Sequence, residues 1–393
     1  MNISTKKIKL ARITTVSSSL KYLLPGQMKF MKKQGIEVTM ISAPGPEIPS
    51  VIKHEGCIFH ALPFTRTISP LNDLKCIWYL YKWLKNEKPS IIHSETPKAG
   101  LVAMISGWLA GVPVRIHTVA GLPLMVEKGF KYWVLVIVER VTNALATQVW
   151  PNSFSLKKII LEKKLANPNK VIVLANGSSN GTDTFRYSEA SINNRKLAQI
   201  KAEIGFDENL SYNLCVARLV QDKGIAELVE AFTIIYESYP HQRLLLVGPF
   251  EKHLDPLPGS TISIIDKHPG IIRVGMTDAV EYYMYISQLF VFPSYREGFP
   301  NVLMEAGSMG LPVVCSKIEG NVDMVIHGVT GLLFEKQNTI DLLDKWTHAL
   351  QHKESMAIMG NALRQEIKKH FDRNIIWKEM HAQYLLLVRD KLS

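Results

Sequence analysis

The chain has 393 residues, of which 47% are hydrophobic and 21% are charged. This length and composition fit two globular domains and exclude a disordered or low-complexity chain. The net charge of +11 comes from the first half: residues 1–180 hold 24 Lys or Arg against 9 Asp or Glu, whereas residues 181–393 hold 22 against 26. A basic half favours an anionic partner such as a membrane face, nucleic acid or a phosphate-bearing substrate, although scattered lysines that only aid solubility give the same count.

The N-terminus, the cysteines and the apolar runs predict a cytoplasmic protein. The first ten residues lack the apolar stretch and small cleavage-site residues of a secretory leader. The four cysteines are widely spaced, which indicates neither a disulfide framework nor a Cys-x-x-Cys metal site and favours a reducing compartment. The longest apolar run near the middle, residues 132–138, is shorter than the about 20 residues that a membrane-spanning helix needs.

Short apolar strands alternate with helical patterns along the whole chain, which is typical of parallel sheets covered by helices on both faces. Strands are predicted at residues 8–14, 37–42, 91–93, 114–118, 148–150 and 171–174 in the first half, and at 214–217, 243–247, 289–292, 312–315 and 331–334 in the second. Helical patterns at residues 339–352, 354–370 and 374–388 close the chain.

A polar stretch at residues 176–187, followed by a charged helical pattern at 192–204, separates the two sets of strands. We therefore predict an α/β fold of two Rossmann-like doubly wound domains, residues 1–190 and 191–373, facing each other across a cleft. The terminal helix, residues 374–393, either crosses back to complete the first domain or packs on the second.

Two carboxylates, Glu297 and Glu305, stand on either side of a predicted helix start near Pro300. The backbone N–H groups at such a start have no intrahelical acceptors and attract a phosphate. Carboxylates can accept hydrogen bonds from sugar hydroxyls. This combination suits a nucleotide sugar, although a capped helix with two surface acids explains the same residues.

Other polar and glycine residues follow the predicted strands of the second domain. Arg218 and Lys223 come between a strand end and a helix start, where two cations can hold a diphosphate and stabilise the charge that grows on it. A solvated basic loop is the alternative. Gly248 ends the next strand, where a missing Cβ lets a ligand approach the backbone, as in any tight turn. Val274 and its neighbours can offer backbone groups to a nucleobase.

In order and spacing, these segments resemble the retaining family-four glycosyltransferases of the GT-B fold over nearly the whole chain. Glu297 to Glu305 is similar to the family's Glu-x7-Glu motif, residues 217–224 to its Arg/Lys phosphate motif, and residues 176–183 to its interdomain Asn-Gly-x-Asp region.

The resemblance implies that Glu305 binds ribose hydroxyls and Glu297 a hydroxyl of the donor sugar, while Arg218 and Lys223 bind the diphosphate and residues 298–301 supply backbone amides. The predicted site comprises Arg218, Lys223 and Glu297 as catalytic residues, and Glu305, Gly298, Phe299, Pro300, Asn301, Gly248 and Val274 as donor-binding residues.

The first domain resembles members that build bacterial surface polysaccharides, such as capsule and O-antigen, on a lipid carrier, through residues 93–100 and 115–121. Two positions depart from the family pattern. Ala120 stands where many relatives have a histidine that lines the sugar pocket, and residues 17–20 read Ser-Ser-Ser-Leu where many have a Gly-Gly pair.

The predicted acceptor-side residues are His93, Lys98, His117 and Ser18. Three of them have an alternative interpretation. His117 is close to the position of the relatives' histidine, but one step along an alternating strand changes the face. His93 is equally explained as a histidine whose hydrogen bonds are satisfied by its neighbours, and Lys98 as a lysine that solvates its helix.

The leading hypothesis is transfer of a sugar, with retention, from an α-linked nucleoside-diphosphate donor to a lipid-linked saccharide such as a polyprenyl-diphosphate glycan. Family frequency favours a UDP-hexose or UDP-N-acetylhexosamine. No Asp-x-Asp segment stands at a predicted strand end, so neither a metal nor a cofactor is expected, because the cations and the helix start can stabilise the diphosphate. The basic first half predicts peripheral binding to the inner face of the cell membrane. Residues 132–138, with Lys128, Phe130 and Trp133 nearby, are a candidate contact, and a buried core helix is the alternative.

Two other functions stay open. A nucleotide-sugar epimerase on the same two-domain plan would act without an acceptor. A basic protein that holds nucleic acid is disfavoured, because the first half has 20 Lys against 4 Arg and such proteins favour clustered arginines with aromatic stacking surfaces.

Overall fold

Two six-stranded parallel sheets organise the part of the chain that the structure describes. The structure is a computed structural model and describes residues 7–65, 67, 69–125, 127–251 and 255–392. The chain divides into two compact units: unit 1 comprises Met1–Gly181 with Arg373–Ser393, and unit 2 comprises Thr182–Asp372. The sequence prediction places the division after residue 190.

Unit 1 alternates strands and helices from its first described residues. Its elements before residue 182 are β1 Lys9–Ile13, α1 Ser17–Tyr22, α2 Gln27–Lys33, β2 Glu37–Ser42, α3 Ile48–Glu55, β3 Ile58–Ala61, α4 Pro70–Glu87, β4 Ile91–Glu95, α5 Pro97–Ala110, β5 Val114–Val119, α6 Gly129–Leu145, β6 Gln148–Pro151 and α7 Phe154–Glu162.

Helices cover both faces of the unit 1 sheet because neighbouring strand residues point to opposite sides. Ala11 and Ile92 pack with α4, α5 and α6, whereas Leu10 and Ile91 pack with α2 and α3 on the other side. The strand order is β3-β2-β1-β4-β5-β6, and it changes direction between β1 and β4. The sheet is therefore doubly wound.

Unit 2 repeats this plan. Its elements are α8 Asn194–Glu203, β7 Ser211–Val216, α9 Ile225–Ser238, β8 Gln242–Val247, α10 Gly259–Lys267, β9 Ile271–Gly275, α11 Val280–Ile286, β10 Leu289–Phe292, α12 Asn301–Met309, β11 Val313–Ser316, β12 Leu332–Phe334, α13 Thr339–Gln351 and α14 Lys353–His370.

The unit 2 sheet has the order β12-β11-β10-β7-β8-β9, with its change of direction between β10 and β7. Leu245 and Val247 pack with α11, α12 and α14, and Leu244 and Leu246 pack with α9 and α13. The predicted α/β fold of two doubly wound domains is confirmed.

The last helix, α15 Arg373–Leu392, belongs to unit 1. Its Trp377 lies against Phe30 of α2, with ring centroids 5.4 Å apart, and its Nε1 donates to Asn180 at 2.7 Å. Of the two packings left open by the sequence, the helix has the one on unit 1.

Three strand predictions need correction. Residues 171–174 are not a strand, because only Val171 forms a bridge, to Val149 at the sheet edge, before the chain turns away. The strands β3 and β9 were not predicted. β3 is a short, partly exposed edge strand without a continuous apolar run, and the residues of β9 were considered only as a source of backbone groups for a nucleobase. The prediction that the first ten residues are not a secretory leader falls partly on residues 1–6, which lie outside the described residues.

Candidate active site

The candidate site lies at the carboxyl edge of the unit 2 sheet, where the strand order changes direction between β7 and β10. Such a switch point leaves a crevice outside the strand ends, because the following helices diverge to opposite faces. The chain leaves β7 toward Arg218 and Lys223 and leaves β10 toward Glu297. Two neighbouring strands thus bring the three predicted catalytic residues to one edge.

Lys223 and Glu297 form an ion pair within this edge. Lys223 Nζ lies 2.6 Å from Glu297 Oε1, and the two side chains are 16% and 17% exposed. The Ser294 hydroxyl donates to the same Oε1 at 2.8 Å. The ammonium group is therefore fixed in a partly desolvated position, where its attraction for a phosphate is stronger than in bulk water.

Sequence reasoning missed the residues that hold this pair in place. Asp222 O accepts a hydrogen bond from Tyr295 N at 2.9 Å, and Asp222 Oδ2 lies 3.0 Å from Arg296 Nη2. Gly224 has φ 65°, and a Cβ on it would lie 2.2 Å from the carbonyl oxygen of Pro293. Glycine therefore lets the turn after β7 pack directly on the end of β10.

Arg218 has a different partner from Lys223. Its Nη1 forms an ion pair with the carboxylate of Glu251, which follows β8. Leu219 N donates to Pro249 O at 2.9 Å and joins the two loops. The guanidinium is about half exposed, and such a group can exchange a carboxylate for a phosphate, which it can bind in a bidentate manner.

Gly248 and Val274 lie at the ends of β8 and β9. Gly248 has φ 142°, and a Cβ on it would lie 1.8 Å from Ala217 O, so the close approach of the β7 end requires glycine here. Leu246 pairs with Arg273 and Val247 with Gly275. Val274 is therefore the extra residue of a β-bulge, a feature that is common beside active sites.

The start of α12 has the backbone arrangement that the sequence predicts. Pro300 is the N-cap, and its carbonyl accepts hydrogen bonds from Leu303 N and Met304 N at 3.2 and 3.4 Å. The amides of Asn301 and Val302 come first in the helix and have no intrahelical acceptor. Proline has no N–H, so the amides predicted from residues 298–301 come only from Gly298, Phe299 and Asn301.

A second turn packs against this helix start. Gly320, with φ 83°, would place a Cβ 2.6 Å from Gly298 O. Phe299 is buried and packs on Phe371, with ring centroids 5.2 Å apart. Packing on both sides therefore fixes the backbone at residues 298 and 299, and sequence reasoning missed Gly320.

Glu305 lies on the second turn of α12 and has partners that the sequence did not suggest. Burial raises the pKa of Glu305 to about 7, while a hydrogen bond from Tyr187 and the charge of Arg186 act in the opposite direction. Arg186 Nη2 lies 2.9 Å from Glu281 Oε2. Because both new residues precede α8, no local motif connects them to Glu305.

His93, a predicted acceptor-side residue, lies in the core of unit 1. Its Nδ1 is 2.5 Å from Tyr384 Oη, and its Nε2 is 2.7 Å from Thr118 Oγ1. Burial lowers the pKa of His93 well below its usual value, and the nearby charge of Arg12 adds to this effect. The ring is fully buried and both nitrogens have partners, which argues against direct contact with an acceptor.

His117 is buried on the opposite side of the unit 1 sheet. Its Nδ1 is 3.0 Å from Ser94 Oγ, and its ring fills the space that a Cβ on Gly100 would need. Burial, followed by the charge of Arg12, lowers the pKa of His117 to about 4. This ring is therefore neutral and packed under α5, and its predicted contact with an acceptor has the same difficulty.

The other two predicted acceptor-side residues lie at the carboxyl edge of the unit 1 sheet. Lys98 Nζ is 2.8 Å from Asp73 Oδ1 and 2.9 Å from Thr65 Oγ1. Ser18 is partly exposed in the first turn of α1. The structure therefore does not bring the four residues into one cluster, and their roles stay predictions.

Chemically, the unit 2 edge can bind an anion next to hydroxyl groups. Arg218, Lys223 and the first amides of α12 supply positive charge and hydrogen-bond donors. Glu297 and Glu305 supply acceptors for hydroxyl groups. No group of three or more His, Cys, Asp or Glu among the described residues is arranged to hold a metal ion.

Comparison with known proteins places the chain in a family. The sequence model described as "Glycosyl transferases group 1" matches residues 198–366, and the "Glycosyl transferase 4-like domain" model matches residues 26–177. The capsular polysaccharide biosynthesis glycosyltransferase CapM of Staphylococcus aureus is 32% identical over 98% of this chain and 99% of its own length. The chain therefore belongs to the family of glycosyltransferases that these two models and CapM represent.

More distant relatives align over almost the same length. The UDP-Gal:alpha-D-GlcNAc-diphosphoundecaprenol alpha-1,3-galactosyltransferase of Escherichia coli is 25% identical over 95% of each chain. The N,N'-diacetylbacillosaminyl-diphospho-undecaprenol alpha-1,3-N-acetylgalactosaminyltransferase of Campylobacter jejuni is 25% identical over 93% of this chain and 94% of its own.

Solved structures confirm the predicted GT-B fold. Anabaena Alr3699/HepE, in complex with UDP and glucose, has a TM-score of 0.81 at 16% identity, over 96% of this chain and 99% of its own. A glycosyltransferase from Rickettsia africae has a TM-score of 0.80 at 18% identity, over 98% and 100%. At these identities the likeness is one of fold.

None of the helices in the described ranges combines the length and the apolar character that crossing a membrane requires.

Proposed function

We propose that this glycosyltransferase moves a sugar from a UDP-hexose or UDP-N-acetylhexosamine to a lipid-linked saccharide during surface polysaccharide synthesis, with retention at the anomeric carbon. The observation that carries the proposal is the edge formed by β7, β10 and α12. There, Lys223 and Glu297 are paired beside the first amides of a helix, at the position where doubly wound sheets bind ligands.

The names of relatives support the choice of substrates. The Escherichia coli relative uses UDP-Gal and an acceptor on diphosphoundecaprenol, and the Campylobacter jejuni relative also acts on a diphospho-undecaprenol sugar. Both names give an α linkage in the product. From an α-linked nucleotide donor, an α product corresponds to retention.

In the proposed reaction, the side chains of unit 2 act mainly on the leaving group. Arg218, Lys223 and the α12 amides hold the diphosphate and stabilise the charge that grows as its bond to the anomeric carbon breaks. Glu297 accepts a hydrogen bond from the donor sugar and Glu305 from the ribose. The acceptor hydroxyl forms its bond on the face that the diphosphate leaves, and a departing phosphate oxygen takes the hydroxyl proton.

Fixed cations make a divalent metal unnecessary in this proposal, because they supply the charge that a bound metal would otherwise supply. Turnover measured with and without EDTA tests this point. Equal rates are expected. Loss of turnover in EDTA, with recovery on addition of Mg²⁺ or Mn²⁺, would contradict it.

An exposed apolar face supports peripheral binding to the cytoplasmic membrane. Phe130, Trp133 and Ile137 follow helical spacing along α6 and are 85%, 61% and 60% exposed. On α4, which packs in the same helical layer, Leu71 and Leu74 are also exposed. Lysines and arginines accompany these residues on the same helices, as in helices that lie in an anionic membrane interface.

Sedimentation with vesicles tests this membrane contact. The wild type is expected to sediment with vesicles that contain anionic lipid and to stay in the supernatant with neutral vesicles. A Phe130→Ser/Trp133→Ser variant should lose most of this binding. Ile340→Ser, on the exposed face of α13 in unit 2, is the matched control. Equal sedimentation of both variants would reject the α6 contact.

A panel of nucleotide sugars tests the reaction itself. A UDP-sugar should raise the melting temperature, because ligands that bind only the folded state stabilise it. Incubation of that donor with polyprenyl-diphosphate saccharides should give one product that is longer by one sugar. Release of an epimerised nucleotide sugar without a glycosylated product would instead establish an epimerase.

A further inference from the structure

A cavity of about 440 Å³ lies within unit 2, at the opposite edge of the sheet from the candidate active site. Its floor is formed by residues at or next to the beginnings of four strands: Ser211, Gln242, Leu289 and Pro312. The predicted active-site residues lie beyond the carboxyl ends of the same sheet. The volume falls within the range of about 300 to 1,000 Å³ that is usual for small-molecule sites.

One face of α14 forms a wall of this cavity. Met356, Ala357, Asn361 and Arg364 line it at spacings of one, four and three residues, which brings them to the same side of the helix. Across from them lie Met284 of α11 and other apolar side chains. The cavity therefore offers both kinds of surface to a ligand, because ten of its twenty lining residues have polar side chains.

Arg364 is a charged residue of this wall, and its side chain is partly exposed. Its Nε is buried and has no hydrogen-bond partner among the described residues. Its aliphatic stem passes close to Gly310, where its Cδ would lie 3.3 Å from an added Cβ. The Nε is too deeply buried for a ligand to reach, so a ligand in the cavity would meet the terminal nitrogens of this partly exposed side chain.

The charges of the surrounding groups favour an anion as the ligand of this cavity. Lys353, in the first turn of α14, also lines the cavity, and Glu189 is the one carboxylate among the lining residues. Within the described ranges, Arg364, Lys353 and Glu189 form no ion pair. The two cations therefore outnumber the one acid.

We propose that this cavity binds a small organic anion, such as a carboxylate, sulfonate or phosphate ester with a flat apolar body. The anionic group binds Arg364, with Lys353 at the mouth. The apolar body packs against Tyr285, Leu350 and Ala357, which line the cavity and are at least partly exposed. This site is distinct from the one at the carboxyl edge, since the two lie at opposite ends of the strands.

Fluorescence titration with 8-anilinonaphthalene-1-sulfonate tests the proposal, because this probe joins a sulfonate to an apolar ring system. The wild type is expected to bind one equivalent. Ala357→Trp should abolish this binding by filling the cavity. Ile358→Trp is the matched control, since Ile358 is the next residue of α14, is exposed and does not line the cavity.

A second pair of variants tests the charge. Arg364→Gln should weaken binding of the probe by about tenfold, the usual scale for a lost charge-assisted hydrogen bond, and Arg364→Lys should recover part of it. Lys368→Gln removes one charge from an exposed position of the same helix and should leave binding unchanged. Thermal melting of each variant checks that it is folded.

No binding by the wild type, or equal binding by Ala357→Trp and the wild type, would overturn the proposal. Equal binding by a folded Arg364→Gln variant would remove the role of the arginine. The outcome does not depend on the proposed sugar transfer, which is measured separately with nucleotide sugars. A probe bound at the carboxyl edge would be recognised because the Ala357→Trp substitution would not affect it.

Discussion

Units 1 and 2 share one topology but use their charged residues differently. In unit 1, Arg12 Nη2 lies 2.5 Å from Glu95 Oε2, and both side chains are 1% exposed. In unit 2, the pair of Lys223 and Glu297 is 16% and 17% exposed at the carboxyl edge. The first pair is closed within a core, whereas a ligand can still reach the second.

This difference separates charges that fix a fold from charges that can act on a substrate. Arg12 also donates to Gln27 Oε1 at 2.9 Å and to the carbonyl of His93 at 3.2 Å, so the whole guanidinium has partners within unit 1. The unit 2 pair lies instead at the switch point of its sheet. We therefore expect substitutions in unit 1 to change stability and those in unit 2 to change turnover.

The largest effect is expected from Glu95→Ala, which leaves the Arg12 charge buried without its partner. Breaking such a pair usually costs about 3 to 5 kcal/mol of unfolding free energy. Denaturant unfolding measures this loss, and donor affinity of the folded fraction should stay the same. A Glu95→Ala variant with wild-type stability would show that the buried pair does not fix the unit 1 core.

Lys223→Ala tests the other side of the comparison. It should lower kcat by about 10² to 10³, the usual effect of removing one group that stabilises transition-state charge. Steady-state kinetics measures this. Lys345→Ala is the control, because Lys345 forms an ion pair with Asp341 within α13. If both variants turned over like the wild type, the unit 2 pair would have no part in the reaction.

Acid should lower the unfolding free energy through the buried His117 of unit 1. The pKa of His117 is lowered to about 4, so below its usual value of 6.5 the unfolded chain binds a proton that the folded protein does not. The unfolding free energy should therefore fall by about 3 kcal/mol as the pH decreases from 6.5 to 4. A His117→Asn variant should lose this part of the pH dependence. Parallel pH profiles for the variant and the wild type would contradict it.

The smallest effect concerns Glu305, whose pKa is raised to about 7. An ionised carboxylate accepts hydrogen bonds more strongly than a protonated one, so donor affinity should rise as the pH increases through this value. If only the ionised form binds, the gain from about pH 6 to about pH 8 is about tenfold. Calorimetry with a UDP-sugar measures it, and Glu305→Gln should flatten the profile.

Tyr187→Phe sharpens the same test. Loss of its hydrogen bond removes an influence that lowers the pKa of Glu305, so the midpoint of the affinity profile should move to higher pH. An unmoved midpoint in this variant would show that Tyr187 does not tune the carboxylate.

The sequence predicted most of the fold because strand and helix periodicities are local. Nearly all strands of the two sheets follow apolar runs, and the start of α12 follows from Pro300 and the polar loop before it. The placement of Arg218, Lys223 and Glu297 at one edge of the unit 2 sheet was predictable for the same reason, because these residues follow the ends of β7 and β10.

Contacts between distant segments limited the prediction. His93 forms a hydrogen bond with Tyr384 of the terminal helix, and Glu305 accepts one from Tyr187. No local sequence pattern predicts either contact. β3 and β9 were not predicted because a short edge strand buries too little apolar surface to show the alternation of apolar and polar residues that is typical of strands. The burial of His93 likewise depends on a helix far away in the chain, whereas His117 is buried under the nearby α5.

A crystal structure with bound UDP tests the central claim most directly. We expect the diphosphate to lie within about 3 Å of Lys223 Nζ and of the Asn301 amide, with the ribose hydroxyls against Glu305. A diphosphate held away from the β7–β10 edge, with Lys223 still paired only to Glu297, would contradict the assignment of this edge as the donor site.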